Sequence, residues 1–148
     1  MGRLLAIDYG KKRTGIAVSD PMHIIANGLA TIDTANIFEF LKTYIESNDV
    51  ERIIVGYPLQ SNGEASENMR RVVPFVNRLK KLYTTIPVDY YDERFTSVMA
   101  HQVILESGVK KKARRDNKGL VDKISATIIL EDYMESQRMK EDFFKLKN

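Results

Sequence analysis

Leu4-Leu5-Ala6-Ile7-Asp8-Tyr9-Gly10, followed by Lys11-Lys12-Arg13-Thr14-Gly15-Ile16-Ala17-Val18-Ser19-Asp20, decides the fold of this chain. Four apolar residues bounded by a glycine read as a short strand buried on both faces. That strand ends in a carboxylate, Asp8. A buried unpaired charge is costly, so such an aspartate normally has a cation, a hydrogen-bond set or a metal beside it. The chain then turns through a basic, glycine-bounded loop into a second apolar run, Ile16-Ala17-Val18. The spacing predicts a hairpin, with Gly10 and Gly15 at its corners. An acid at a strand end with Lys11, Lys12 and Arg13 in the next loop suits a site for metal and phosphate. On position alone, Asp8 serves equally as a turn residue capping its own loop.

Outward from this hairpin the pattern alternates. Ile24-Ile25 and Gly28 to Ile32 suggest a third strand. Asp33 or Thr34 is placed to cap a helix carrying Ile37, Phe40, Leu41, Tyr44 and Ile45 at helical spacing. Arg52 to Gly56 is a fourth, β-branched strand, followed by the loop Tyr57-Pro58-Leu59-Gln60-Ser61-Asn62-Gly63. A second helix carries Met69, Val72, Val73, Val76, Leu79 and Leu82, with Pro74 marking a kink or a start nearby. Val88 to Asp92 is the fifth strand. Thr96 or Ser97 then caps a helix with Val98, Val103, Ile104 and Leu105, which stops at Gly108. A last helix from about Leu120 to Tyr133 has Ile124, Ile128 and Ile129 as its buried stripe. The tail from Arg138 reads as a fraying helix end.

Three strands and then helices alternating with strands predict an α/β domain spanning residues 1–148. Its five-stranded mixed sheet starts antiparallel, continues parallel and is flanked by helices. Ligands of such sheets collect at the carboxyl ends of the parallel strands. Asp8, the Asp92-Glu93-Arg94 stretch and Asp122 all fall there on this reading.

Composition narrows the chemistry. The chain has 148 residues and no cysteine, which removes disulfides, thiolate catalysis and zinc–thiolate sites. There is no long apolar N-terminal region or membrane-length stretch, and Ala6 stands where a myristoylation signal needs Ser or Thr. A cytoplasmic protein without a membrane partner is expected. Net charge is only +3, so nucleic-acid binding has to rest on local clustering. One cluster exists: Lys110, Lys111, Lys112, Arg114, Arg115 and Lys118 surround a single acid, Asp116. Placed just before the Asp122 helix, this run suits a phosphate backbone, and it suits a solvated loop as well. It holds no aromatic platform for base stacking. His23 and His101, the two histidines, are given no ligand role.

Three acids from distant parts of the chain invite a hard divalent cation, Mg²⁺ or Mn²⁺, bound through oxygen. Two such ions roughly 4 Å apart serve phosphodiester hydrolysis in many nucleases.

The residues also resemble a known family. The stretch from Leu5 to Asp20 is similar to the opening motif of the YqgF family, described as pre-16S rRNA nucleases or Holliday junction resolvases with a ribonuclease-H-like fold. Gly56-Tyr57-Pro58-Leu59 with Gly63, Asp92-Glu93-Arg94-Phe95-Thr96-Ser97, and Asp122 to Ala126 resemble its later motifs in order and spacing. Ser97 and Ser125 depart from the family pattern without touching a carboxylate. The resemblance implies a metal-dependent nuclease with Asp8, Glu93 and Asp122 as metal-binding catalytic acids. It favours Glu93 over the neighbouring Asp92, a choice that spacing alone does not make. Its substrate would be structured nucleic acid, with pre-16S rRNA processing favoured and branched DNA as the alternative. Arg94 is either a phosphate contact or a partner of the adjacent acids. Lys11, Lys12, Arg13 and the Lys110–Lys118 cations are the remaining nucleic-acid candidates. An actin-like phosphotransferase shares the Asp8-x-Gly10-x-x-x-Thr14-Gly15 pattern but needs two domains. A non-enzymatic nucleic-acid binder leaves three acids near phosphate without a counter-charge.

Overall fold

The computed structural model describes residues 2–57, 69–92 and 118–147. Five strands, β1 (Arg3–Asp8), β2 (Arg13–Ser19), β3 (Ala26–Asp33), β4 (Val50–Tyr57) and β5 (Val88–Asp92), form one sheet in the order β3-β2-β1-β4-β5. The β1–β2 and β2–β3 pairs are antiparallel; β1–β4 and β4–β5 are parallel. This is the mixed sheet expected from the sequence. The helices are α1 (Ile37–Ser47), α2 (Met69–Leu82) and α3 (Lys118–Lys147). The third helix expected between Thr96 and Gly108 lies outside the described residues. Among the described residues, no helix is long and apolar enough to cross a membrane.

The two faces of the sheet are built from different side chains. Strand alternation sends Leu5, Ile7, Ile16, Val18, Ile53 and Val55 to one side, where they pack with Ile37 and Leu41 of α1 and with Val72, Phe75, Val76 and Leu79 of α2. Leu41 and Leu79 are fully buried, each contributing roughly 1.5–3 kcal/mol by leaving water. The other face presents Leu4, Ala6, Ala17 and Ile54 to Ala126, Ile129, Leu130, Tyr133 and Met134 of α3. Small residues let that helix lie close. A Cβ on Gly28 would come within 2.8 Å of the Lys123 side chain, and one on Gly15 would collide with the backbone carbonyl of Asp122.

Several local expectations shift. Ile24 and Ile25 precede β3 and are exposed, because the backbone there is held in a loop by Asp20. The Asp20 carboxylate accepts hydrogen bonds from the amides of Met22, Ile24 and Ile25 at 3.1, 2.7 and 2.8 Å. A 3-10 turn, Thr34–Asn36, precedes α1, and Asp33 makes no side-chain cap. In α2 the buried set includes Phe75, while Val73 and Leu82 are exposed. Pro74 lies inside that helix. In α3 the stripe is carried by Ala126, Ile128, Ile129, Leu130, Tyr133 and Met134, with Ile124 only half-buried. The helix continues unbroken through the tail to Lys147.

Candidate active site

Because β1, β4 and β5 are parallel neighbours, their carboxyl ends lie along one edge, closed by Asp8, Tyr57 and Asp92. Asp8 follows Leu4 and Ala6 in the alternation, which puts it on the α3 face at that edge. Its partner across the β1–β2 ladder is Gly15. Gly15 is also where α3 touches the sheet, through the backbone of Asp122. The first and last motif acids are therefore brought to one face, linked by one glycine. A side chain at position 15 would separate them.

The hairpin between β1 and β2 is fastened from several sides. A Cβ on Gly10 would collide with the Arg13 carbonyl, so the turn is tight enough to require glycine. Thr34, expected as a helix cap, instead donates its hydroxyl to the Gly10 carbonyl at 2.7 Å, and its oxygen lies 2.8 Å from the buried Thr14 hydroxyl. The Thr34 amide donates to the Lys12 carbonyl at 2.9 Å. Behind the strand end, Tyr9 stacks on Phe75 with ring centroids 4.2 Å apart. Lys11 and Lys12 stand exposed at the hairpin tip. Arg13 turns back: its Nε donates to Asp122 Oδ2 at 3.0 Å.

Glu93, Arg94, Lys110, Lys111, Lys112, Arg114 and Arg115 lie outside the described residues. Lys118 opens α3. Among the described residues, no group of three His, Cys, Asp or Glu gathers at one point. His23 is engaged elsewhere, with Nε2 2.7 Å from the Gly2 carbonyl and 3.1 Å from a Glu51 carboxylate oxygen. A cavity of about 460 Å³ near it, lined by Leu4, Glu51, Arg52, Tyr133 and Arg138 among others, includes none of Asp8, Arg13 or Asp122.

Comparison with known proteins gives the family and the fold. The RuvX family model, described as Holliday junction resolvase, matches residues 2–136. The chain belongs to the RuvX (YqgF) family. A relative from Phocaeicola vulgatus, named "Putative pre-16S rRNA nuclease", is 60% identical over 138 residues, covering 93% of this chain and 99% of its own. One of the same name from Bacteroides fragilis is 58% identical and covers 94% of this chain and 100% of its own. Among solved structures, the Fowlpox virus resolvase in complex with Holliday junction DNA is similar at a TM-score of 0.56. It shares 13% identity and covers 91% of this chain and 98% of that one. That likeness is one of fold, and the fold is ribonuclease-H-like.

Arg13 was legible as a cation near Asp8 but not as the partner of Asp122, which lies 109 positions away. Gly15 was legible as a hairpin corner but not as the seat of α3.

Proposed function

We propose that this RuvX-family chain is a metal-dependent nuclease that hydrolyses phosphodiester bonds in structured nucleic acid, with pre-16S rRNA as substrate. The observation that carries the reading is the convergence of Asp8 and Asp122 on one face at the carboxyl edge of the parallel strands. Residues this far apart in sequence are joined here by a dedicated close contact, beside a cationic hairpin. The names borne by its close relatives support the same activity.

The donor set fits a hard divalent cation. Asp8 and Asp122 offer carboxylate oxygen, and the described histidine is committed at Gly2 and Glu51. Glu93 is the third proposed ligand. The family resemblance, rather than any described geometry, is what assigns Glu93 this role. Mg²⁺ or Mn²⁺ held by these acids would supply Lewis-acid activation for hydrolysis. The chain's own residues bind and orient the substrate. Lys11 and Lys12, exposed at the hairpin tip, would meet phosphate, and Arg94 and the Lys110–Lys118 run are the other proposed phosphate contacts. Branched DNA is the second reading, favoured by the family's description as a Holliday junction resolvase. The cytoplasm, where ribosomal RNA is made, is the proposed location.

The test compares wild type, Asp8→Asn and Asp122→Asn on a labelled pre-16S rRNA fragment and a four-way DNA junction, with Mg²⁺ or Mn²⁺ at matched salt. Each substitution keeps size and hydrogen bonding but removes a metal-binding charge. Cleavage of the RNA by wild type, lost in both variants while substrate affinity stays within a few-fold, is the expected result. Folded variants that cut at the wild-type rate would remove these acids from the site. Cleavage of the junction alone would move the substrate to branched DNA.

A further inference from the structure

Arg13 is bound to one of the acids that the nuclease reading assigns to metal. The contact runs from Nε to Asp122 Oδ2 at 3.0 Å, with the arginine side chain 41% exposed and the aspartate 24%. It is a one-point contact. A guanidinium carries five N–H donors in a planar fork, and a two-point pair with carboxylate or phosphate is its strongest arrangement. The pair therefore leaves Arg13 with donors to offer a second anion. Neither backbone is free to follow a side chain that moves. Arg13 sits in a ladder pair with Asp33, in a hairpin tied down through Thr34. The Asp122 backbone lies on Gly15. Any rearrangement at this point is confined to the two side chains.

We propose that Arg13 is a positioning residue that couples metal to substrate. Its guanidinium holds the Asp122 carboxylate in the metal-free protein, and it transfers to a substrate phosphate when a divalent cation takes that oxygen. The proposal rests on the nuclease reading and deepens it. A cation held by the Asp122 carboxylate would lie close to a guanidinium that already sits 3.0 Å from Oδ2, and the two positive charges would repel each other. In the free protein, then, Arg13 weakens metal binding. An incoming phosphate offers the guanidinium another anion and relieves that repulsion. Linkage requires the effect to be reciprocal: bound nucleic acid tightens metal, and bound metal tightens nucleic acid. The arrangement keeps metal affinity low until a substrate is present. Lys11 and Lys12 cannot substitute for Arg13 in this, because both are exposed at the hairpin tip while Arg13 reaches inward.

The experiment is a calorimetric titration of Mn²⁺ into the full-length wild type, Arg13→Gln and Asp122→Asn. It is repeated with a saturating, cleavage-resistant phosphorothioate oligonucleotide. Arg13→Gln is expected to bind Mn²⁺ about tenfold more tightly than wild type without the oligonucleotide, within the usual range of such couplings. The oligonucleotide should tighten Mn²⁺ in wild type and lose most of that effect in Arg13→Gln. Arg13→Met, which keeps the apolar stem, repeats the measurement if the glutamine variant fails to fold. Unchanged or weaker Mn²⁺ binding in a folded Arg13 variant, with binding lost in Asp122→Asn, overturns the coupling and leaves the nuclease reading standing. Equal Mn²⁺ affinity in all three proteins overturns both.

Discussion

Arg13–Asp122 and Arg52–Asp89 are two arginine–aspartate pairs on the same face of the same sheet, at 3.0 and 2.6 Å. Their chemistry is alike and their surroundings are not. Asp89 also accepts a hydrogen bond from the Tyr133 hydroxyl at 3.3 Å. Tyr133 belongs to the buried part of α3 and meets Tyr91 edge-on. Burial holds its phenol above the ordinary tyrosine range, so near neutral pH it is a dependable donor. The Tyr133 hydroxyl therefore ties this pair to the helix. The Arg13 pair lies at the start of the same helix, where Gly15 brings the backbone of Asp122 onto the strand and Asp8 is the ladder neighbour. An ion pair is structural where a third group completes it. It is available for chemistry where a second acid stands beside it at the open edge of a sheet.

The most forceful way to break this contrast is Gly15→Val. The carbonyl of Asp122 occupies the space a Cβ would need, so α3 must lift or β2 must shift. Overpacking of this kind costs about 3 kcal/mol, which in a domain of this size lowers Tm by roughly 6–12 °C. Nuclease activity should vanish even at temperatures where the variant is folded, because the helix start no longer places Asp122 beside Asp8. Thermal melts and a cleavage assay on the folded protein check both halves. A variant with wild-type Tm would show that the helix does not rest on this glycine.

A milder substitution sharpens the contrast from the other pair. Asp89→Asn removes the charge that Arg52 and Tyr133 share, yet both members of the pair are more than a third exposed, at 35% and 41%. Solvent screening keeps the expected loss below about 1 kcal/mol. Cleavage per folded molecule should match wild type, whereas Asp122→Asn should lose it. Were Asp89→Asn to cut as poorly as Asp122→Asn, the distinction between a structural and a chemical pair would fall.

Much of the fold could be read from the chain. Short apolar runs such as Leu4–Ile7 and Ile53–Val55 made the strands visible, and their order implied the antiparallel start. The packing of α3 was less visible, because the sheet meets it through Ala6, Ala17, Gly15 and Gly28. Small residues do not stand out in a hydrophobic pattern, so Ile124 was placed in a stripe that Ala126 and Leu130 carry instead. Thr34 has the composition of a helix cap. What it does, tying the hairpin through Gly10 and Thr14, depends on a contact across 24 positions that no local window contains. Their positions at strand and helix ends made Asp8 and Asp122 candidates for a metal, and the family resemblance assigned them that role. Position alone left Asp8 open to a turn role, the role that Asp20, twelve residues on, takes in the structure.

Asp20 gives the smallest expected effect, at the end of the sheet where Arg52 sits. Its loop contributes Met22, His23 and Ile24 to the cavity that Arg52 and Tyr133 also line. The backbone amide of Ile25, with those of Ile24 and Met22, holds the Asp20 carboxyl below its ordinary value of 3.8, against a smaller opposing effect of desolvation. A carboxylate whose pKa is lower folded than unfolded adds stability in its ionised form. That contribution is complete above the unfolded value and is lost as pH falls through the lower folded one. Asp20→Asn cannot reproduce a carboxylate accepting three amides, so at neutral pH its Tm should lie slightly below that of wild type. As pH drops below about 3.8, wild type protonates and the two melting temperatures should converge. Carboxylates common to both proteins cancel in the difference, and contact with solvent keeps the gap small. Relative cleavage rates of the two proteins should be unchanged at neutral pH, because the loop follows the end of β2 remote from Gly15, the ladder partner of Asp8. A Tm gap that stays constant from neutral pH to well below the aspartate range would mean that the loop is held by its backbone, with the carboxylate contributing nothing.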